Sequence, residues 1–450
     1  MGFMAGFERG MEKVLVPIAA KLNSQRHVVA IRDAFILAFP ITMAGSLVLL
    51  LNFAILAPDG FLAKILFLHK LFPNLADYQQ VFTPVLNGST NILSMFIVFL
   101  IARNIAIALK ADELLSGITG LSTFFIIYPQ YLNVEGANYL STQWVGAQGL
   151  FVAIIVGLLV GELFSRLSKS EKLQVKMPPS VPPAVARTFK VLFPIIIITL
   201  IFAIGNAIIN ALYEDGLHQF IYTVLQTPLK NIGDSVISLV ILAVVSNLLW
   251  IFGIHGPNTI AAIREGMFAE AGIENLNFVA ANGTAWGAPY PTTWAINDAF
   301  ANYGGSGMTL GLLIAIFLVS KRKDYRDIGK LSIAPGLFNI NEPIIFGLPV
   351  VLNPILIIPF ILVPAINIII GWTAIHFEWI PPIAYSVPWT TPGPILAFLG
   401  TGGNWWALIL GFVCLAVSTL IYMPFVMAAN KAAAIESDNI TTTKSSELNA

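Results

Sequence analysis

"LSIAPGLFNINEPIIFGLPVVLNPILIIPFILVPAINIII", residues 331–370, decides what kind of fold this chain adopts. It holds no lysine or arginine and a single acid, Glu342; from there to Asn430 the only further charge is Glu378. A segment this apolar belongs in a bilayer, whose hydrocarbon core of about 30 Å asks for around 20 apolar residues per helix. Yet prolines 335, 343, 349, 354, 359 and 364 interrupt it, and each removes a backbone donor and clashes with the preceding turn. Broken helices survive in a membrane only where they line a cavity or are covered by protein. A carboxylate at that depth is costly, and such residues are paired, solvated in a cavity, or functional. The question is which of these holds for Glu342 in "FNINEP", residues 338–343.

The remaining composition agrees with a membrane setting. Of 450 residues, 57% are hydrophobic and 11% charged, against about 25% charged in soluble domains. That is too little charge to cover a soluble core. The formal net charge of zero gives no support to a nucleic-acid partner. The single cysteine, Cys414, excludes an intrachain disulfide and a multi-thiolate metal site. Apolar runs at 34–57, 91–109, 114–132, 150–167, 191–212, 237–254, 310–319, 346–370 and 405–427 read as spans. Residues 256–308 and 371–404 are too polar or broken for plain spans, yet too apolar for water-exposed loops. The fold class is an all-α polytopic membrane protein of about ten transmembrane helices, with re-entrant hairpins in its C-terminal part. Residues 1–33 are amphipathic and carry charge through their middle, so they read as a helix on the membrane surface and not as a cleavable signal. The polar tail, 430–450, reads as disordered.

Basic residues set the orientation. Five of the 24 Lys and Arg lie before Ala34, then come Arg103 and Lys110, six lie from Arg166 to Lys190, and five from Lys321 to Lys330. The positive-inside rule places all four groups, and the N-terminus, in the cytoplasm. Spans one to four satisfy this by simple alternation. Beyond them alternation fails, and one extra crossing or an unequal hairpin is expected within 256–306. Charge and paired prolines in "KSEKLQVKMPPSVPPAVAR" mark a linker between two lobes.

Two polar features stand out in the second lobe. "SNLLWIFGIHGPN", residues 246–258, sets His255 between Gly253 and Gly256 in a stretch without Asp, Glu, Lys or Arg from Ser235 to Ile263. A lone histidine on an apolar segment is ordinarily a packing residue. Here flanking glycines strip its surroundings and Pro257 breaks the helix, so the ring is expected at a helix end. For Glu342, the structural reading is a helix N-terminal device: Pro343 suits the first turn and a carboxylate favours the positive end of the dipole. A carboxylate so placed is equally able to receive a sugar hydroxyl, and Asn339 and Asn341 beside it carry amides suited to the same ligand. Trp250 and Trp389 lie in broken stretches and offer flat faces to sugar C–H surfaces, whereas Trp379, Trp405 and Trp406 fit an interfacial belt. Asn87, four residues before Asn91 in "PVLNGSTNIL", serves equally as a helix start or a site residue. No GxxxxGK[ST], HExxH or nucleophile elbow occurs, and acids are nearly missing from the first four spans. Energy for uphill transport is therefore expected from another protein, with an ion-coupled secondary sugar transporter as the alternative.

"GIHGPN" (253–258) together with "NEP" (341–343) resembles the membrane component, enzyme IIC, of bacterial sugar phosphotransferase systems, in the branch for lactose, cellobiose and diacetylchitobiose. The likeness covers residues 8–429. It implies a first, dimerising lobe of five spans at 34–212 and a sugar-binding transport lobe at 213–429. It further implies a homodimer, alternating access, cytoplasmic termini in a bacterial inner membrane, and no cofactor or metal. Phosphate would reach the sugar's 6-hydroxyl from a cysteine on a separate enzyme IIB, supplied by upstream carriers. On the matching positions, His255 and Glu342 are the pair nearest the reacting hydroxyl, and Asn341 is the adjacent amide. Trp250 and Trp389 would stack on a β-linked disaccharide.

Overall fold

The computed structural model describes residues 24–448 except 59, 130–131, 135–136, 179, 214–215, 252–253, 349 and 351–354. The described chain is helical apart from one short antiparallel pair, Leu132–Val134 with Ala137–Tyr139. Six helical stretches are long and apolar enough to cross a membrane: Arg26–Ile65, Leu75–Ala108, Ala147–Leu167, Pro183–Leu212, Ile357–His376 and Trp405–Lys431. Taking Gly216–Gly233 with Val236–Trp250 as one span gives seven, and Glu113–Ile126 and Ser306–Val319 are shorter apolar helices outside that count. The expected total of about ten is not reached among the described residues.

Three expectations change at this level. The surface helix expected at 1–33 lies outside the described residues up to 23. From Arg26 the chain is already in the first long helix, Arg26–Leu51, because Gln25 caps it by accepting the Val28 N–H at 2.8 Å. The run expected as one span at 346–370 is divided: a short helix, Glu342–Gly347, ends before the prolines, and a new helix starts at Ile357 and runs to His376. Where the tail was expected to be disordered, helix Trp405–Leu448 continues through "KAAAIES", whose alanines are the strongest helix formers.

The chain forms two compact units. Lys21–Ile232 joins Ala261–Asn277 in the first, and Gly233–Ile260 joins Phe278–Ala450 in the second. The division lies beyond both the proline-rich linker and the expected 212/213 boundary. Buried contacts explain this. His218 is fully buried among the rings of Phe124, Tyr128 and Trp144 at centroid distances of 5.4, 5.2 and 5.6 Å. Lys230 Nζ and the Tyr222 hydroxyl donate to the buried Glu270 carboxylate at 2.9 and 3.0 Å, and Gln226 donates to its other oxygen. A buried pair is expensive to break because one uncompensated charge remains, so 213–232 and 261–277 stay with the first unit.

Within the first unit, helix Leu93–Ala108 is central, packed by Arg26–Leu51, Glu113–Ile126 and Leu150–Leu167. Gly157 and Gly161 sit one turn apart on the last of these. A Cβ at Gly157 would come within 2.9 Å of Ile101 Cβ, and one at Gly161 within 2.7 Å of Ile105 Cβ. Small residues at this spacing let two membrane helices approach backbone to backbone. One end of the unit gathers charge: Arg26 and Arg166 both pair with Glu162, at 2.6 and 3.0 Å, Arg103 pairs with Glu113 at 2.7 Å, and Arg187 Nη2 donates to Asp112 at 2.7 Å. The Arg187 guanidinium holds the Asp112 carboxyl below the usual carboxylate range. Three of the basic groups assigned to one side of the membrane thus meet at one end of this unit.

In the second unit, Thr309–Val319 and Gly393–Gly400 pack on Trp405–Leu448, and Val236–Ile251 packs on Ile357–His376. Tyr303, Phe300, Phe360 and Tyr422 fill the interior.

Candidate functional site

His255 lies where the sequence expects it, at a helix end. With extended backbone (φ −65°, ψ 94°) it caps the short helix Gly256–Thr259, its Nδ1 accepting the Asn258 N–H at 3.2 Å. A neutral ring bonded this way carries its proton on Nε2. Gly253 lies outside the described residues. Gly256 is required by close approach, since a Cβ there would sit 1.8 Å from the Ser246 carbonyl oxygen. Trp250 is buried, its ring 4.7 Å from that of His255. The Trp250 indole N–H, buried as well, has no hydrogen-bond partner among the described residues.

Glu342 is delivered by a helix stop. Helix Lys323–Leu337 ends with Asn339 N–H on the Gly336 carbonyl at 3.2 Å and Ile340 N–H on the Pro335 carbonyl at 3.0 Å, with Asn339 left-handed at φ 63°. This is a Schellman termination, and it turns the chain sharply before helix Glu342–Gly347. Glu342 opens that helix and Pro343 follows in the first turn. The carboxylate is exposed, and it has no ion-pair partner among the described residues. The Asn341 position at the helix start makes no side-chain capping bond either. The capping account therefore rests only on the helix dipole. Phe346, one turn along, brings its ring within 6.4 Å of Trp250. The Trp250 ring thus neighbours both the His255 ring and the Glu342 helix.

The other expected site residues divide. Trp389 is 46% exposed, and its carbonyl is tied to the 338–343 segment through Asn339. Asn341 is buried, its Nδ2 donating to the Ser306 carbonyl at 3.1 Å. Asn87 belongs to the first unit, where it ends helix Gln79–Asn87 and accepts a bond from Asn91 Nδ2 at 3.0 Å. Sequence reasoning missed the turn Tyr303–Met308, in which Gly304, Gly305, Gly307 and Met308 all have positive φ. Its Gly307 N–H donates to Asn247 Oδ1 at 2.9 Å, one turn before Trp250, while its Ser306 carbonyl receives Asn341. The cue was present as "NYGGSGM", residues 302–308, and as Asn247, a lone amide in an apolar helix. Among the described residues no group of three or more His, Cys, Asp or Glu side chains is placed to hold a metal ion.

Apolar helices broken by proline expose His255 and Glu342 at two helix starts, and broken helices of this kind are the elements from which membrane carriers build sites for small solutes. The family model for the phosphotransferase system EIIC component matches residues 32–364. The chain is 34% identical to the PTS system cellobiose-specific EIIC component of Lactococcus lactis, over 97% of this chain and 100% of that protein. It is 31% identical to the PTS system oligo-beta-mannoside-specific EIIC component of Bacillus subtilis, over 94% of each. The crystal structure of the IIC component from the N,N′-diacetylchitobiose-specific phosphotransferase system superposes with a TM-score of 0.86 at 32% identity, covering 95% of this chain and 99% of that one. This chain belongs to the phosphotransferase system EIIC family: it is a multi-pass membrane sugar-transport component.

Proposed function

We propose that the chain imports a β-linked disaccharide of the cellobiose or diacetylchitobiose type by alternating access, and presents its 6-hydroxyl to a phosphocysteine on a separate enzyme IIB. The names of the relatives, which are components for cellobiose, oligo-β-mannoside and diacetylchitobiose, support the substrate class. The observation that carries the assignment of residues is Trp250, 4.7 Å from the His255 ring and 6.4 Å from that of Phe346 on the Glu342 helix. In the reaction the sugar 6-oxygen attacks phosphorus, the phosphorus–sulfur bond breaks, and the thiolate remains on the partner. Glu342 takes the hydroxyl proton and His255 Nε2–H donates to an oxygen of the reacting group. Positioning outweighs basicity in the loose transition states of phosphoryl transfer. Trp389 stacks on the sugar, with the buried Trp250 backing the His255 ring and Asn341 holding the turn beside it. The charge on sugar phosphate keeps it from recrossing the bilayer, which makes uptake one-way. The first lobe forms the contacts of a homodimer, the second carries the sugar, and both termini face the cytoplasm.

The test is reconstitution in liposomes with labelled cellobiose or diacetylchitobiose. Labelled sugar should accumulate only as its phosphate, and only with phosphoenolpyruvate, the upstream carriers and enzyme IIB present. Accumulation of free sugar driven by an imposed proton or sodium gradient, with no phosphoenolpyruvate, would replace this reading by ion-coupled transport.

A further inference from the structure

Asn339 occupies the residue after the helix cap in the termination of Lys323–Leu337, a place where glycine is the usual choice because the backbone is left-handed. Asparagine tolerates this conformation too, but it brings a side chain. Here that side chain is 3% exposed, and both ends of its amide are bonded to main chain from other segments. Oδ1 accepts the Gly304 N–H at 2.8 Å. Nδ2 donates to the Trp389 carbonyl at 2.5 Å and to the Thr391 carbonyl at 2.9 Å. Both amide donors and one face of the amide oxygen are therefore engaged by main chain in a buried place, contrary to the sequence expectation that this amide serves a sugar hydroxyl.

We propose that Asn339 is a positioning residue: it fastens the "PWTT" turn, and with it the half-exposed Trp389 ring, to the segment that delivers Glu342. Three features make the fastening specific. The two carbonyls it holds flank one residue, so the turn is gripped at both sides. That turn is otherwise closed by a Thr391 N–H bond to the Pro388 carbonyl at 2.8 Å, which fixes its shape but not its place. The third bond, to Gly304, ties the same amide to the Tyr303–Met308 turn, whose Ser306 carbonyl holds Asn341. A sugar stacked on Trp389 would then be kept in register with the carboxylate three residues along the chain from Asn339. This rests on Trp389 being a sugar platform, as proposed above.

Asn339→Gly isolates the side chain, because glycine keeps the left-handed turn while deleting the amide. In the full-length protein in detergent, Asn339→Gly should melt close to wild type. Amide hydrogen exchange should rise in the peptide containing residues 386–392. Sugar should bind about five- to tenfold more weakly, the scale of one or two neutral hydrogen bonds. Adding Trp389→Ala to Asn339→Gly should weaken binding no further than Trp389→Ala alone, since both changes remove one platform. Unchanged exchange at 386–392 in Asn339→Gly overturns the proposal, as do affinity losses that add as independent effects. If exchange rises while Trp389→Ala binds sugar like wild type, the fastening by Asn339 stands and the sugar role of Trp389 falls. Should Asn339→Gly fail to fold, Asn339→Asp keeps an acceptor for the Gly304 N–H but turns a carboxylate oxygen, in place of the donors, toward the two carbonyls, and the same exchange measurement decides.

Discussion

Replacing Glu342 by glutamine separates the two accounts of this residue, and the structure fixes the expected sizes. The carboxylate is exposed and lacks both an ion-pair partner among the described residues and a capping bond. Its contribution to folding is then the dipole share alone, about 0.3–1 kcal/mol. A sugar hydroxyl bonded to a carboxylate is worth about 1.5–3 kcal/mol, or roughly 10- to 150-fold in affinity. Glutamine keeps an acceptor oxygen, so the loss should fall toward the lower end of that range. Proton uptake is different, because an amide cannot accept the hydroxyl proton. General-base contributions are about 10²–10⁴-fold, again nearer the lower end, since in a loose transition state breaking of the phosphorus–sulfur bond runs ahead of attack by the hydroxyl. The three quantities should be measured on one preparation: melting temperature, sugar affinity by calorimetry, and single-turnover sugar phosphate formation with phosphorylated enzyme IIB. Melting should move little, binding should weaken, and phosphorylation should fall further than binding. A Glu342→Gln protein that is less stable yet phosphorylates at the wild-type rate would return Glu342 to the status of a helix-end charge.

Three other substitutions probe different parts of the molecule. Trp389→Ala removes a residue that is 46% exposed, and sugar affinity should fall by about 1–3 kcal/mol with melting unchanged; equal binding removes this residue from the site. Cys414 is fully buried in helix Trp405–Leu448, so Cys414→Ala should transport and phosphorylate normally; sugar phosphate made by this chain and phosphoenolpyruvate alone would contradict a cysteine carried by a partner. Gly161→Val places a Cβ 2.7 Å from Ile105 Cβ and should destabilise the first unit by about 1–3 kcal/mol, read as a lower melting temperature with sugar affinity per folded molecule unchanged.

Hydropathy made most helices legible. Runs expected at 150–167, 191–212 and 310–319 appear as Leu150–Leu167, Leu192–Leu212 and Thr309–Val319. A buried apolar stretch of span length has few alternatives to a helix in lipid. The breaks were harder to read. Six prolines announced that 331–370 is interrupted, but not where. Pro335 and Pro364 lie inside helices, whereas Pro343 sits in the first turn of one. The difference is made by partners outside the segment, such as the Asn339 bonds to residues 304, 389 and 391. The compact units divide further along the chain than the linker for the same reason. Linker composition marked 169–187, yet the pairing of Lys230 with Glu270, forty residues apart in the chain, keeps the following helices with the first unit.

The same distinction runs through the candidate site. His255 and Glu342 were legible because a titratable side chain in an apolar stretch needs a reason that local sequence does not supply. The structural duties of Asn247, Asn339 and Asn341 were not, because their amides serve main-chain atoms 60, 35 and 35 residues away, and an amide bonded to backbone leaves no pattern in its neighbours. An asparagine beside a charged residue reads as a ligand for the substrate, and here all three bond to carbonyls and N–H groups of the Tyr303–Met308 turn. The two residues to which the chemistry is proposed, His255 and Glu342, thus sit exposed on short helix starts, while buried amides fix where those starts lie. That arrangement assigns different signatures to damage. Loss of Glu342 should spare the position of every other group and remove one function, whereas loss of an amide should leave all the chemical groups present and spoil their register. Measured on the same sugar, the first type of variant should lose rate beyond affinity, and the second should lose affinity together with local protection from exchange.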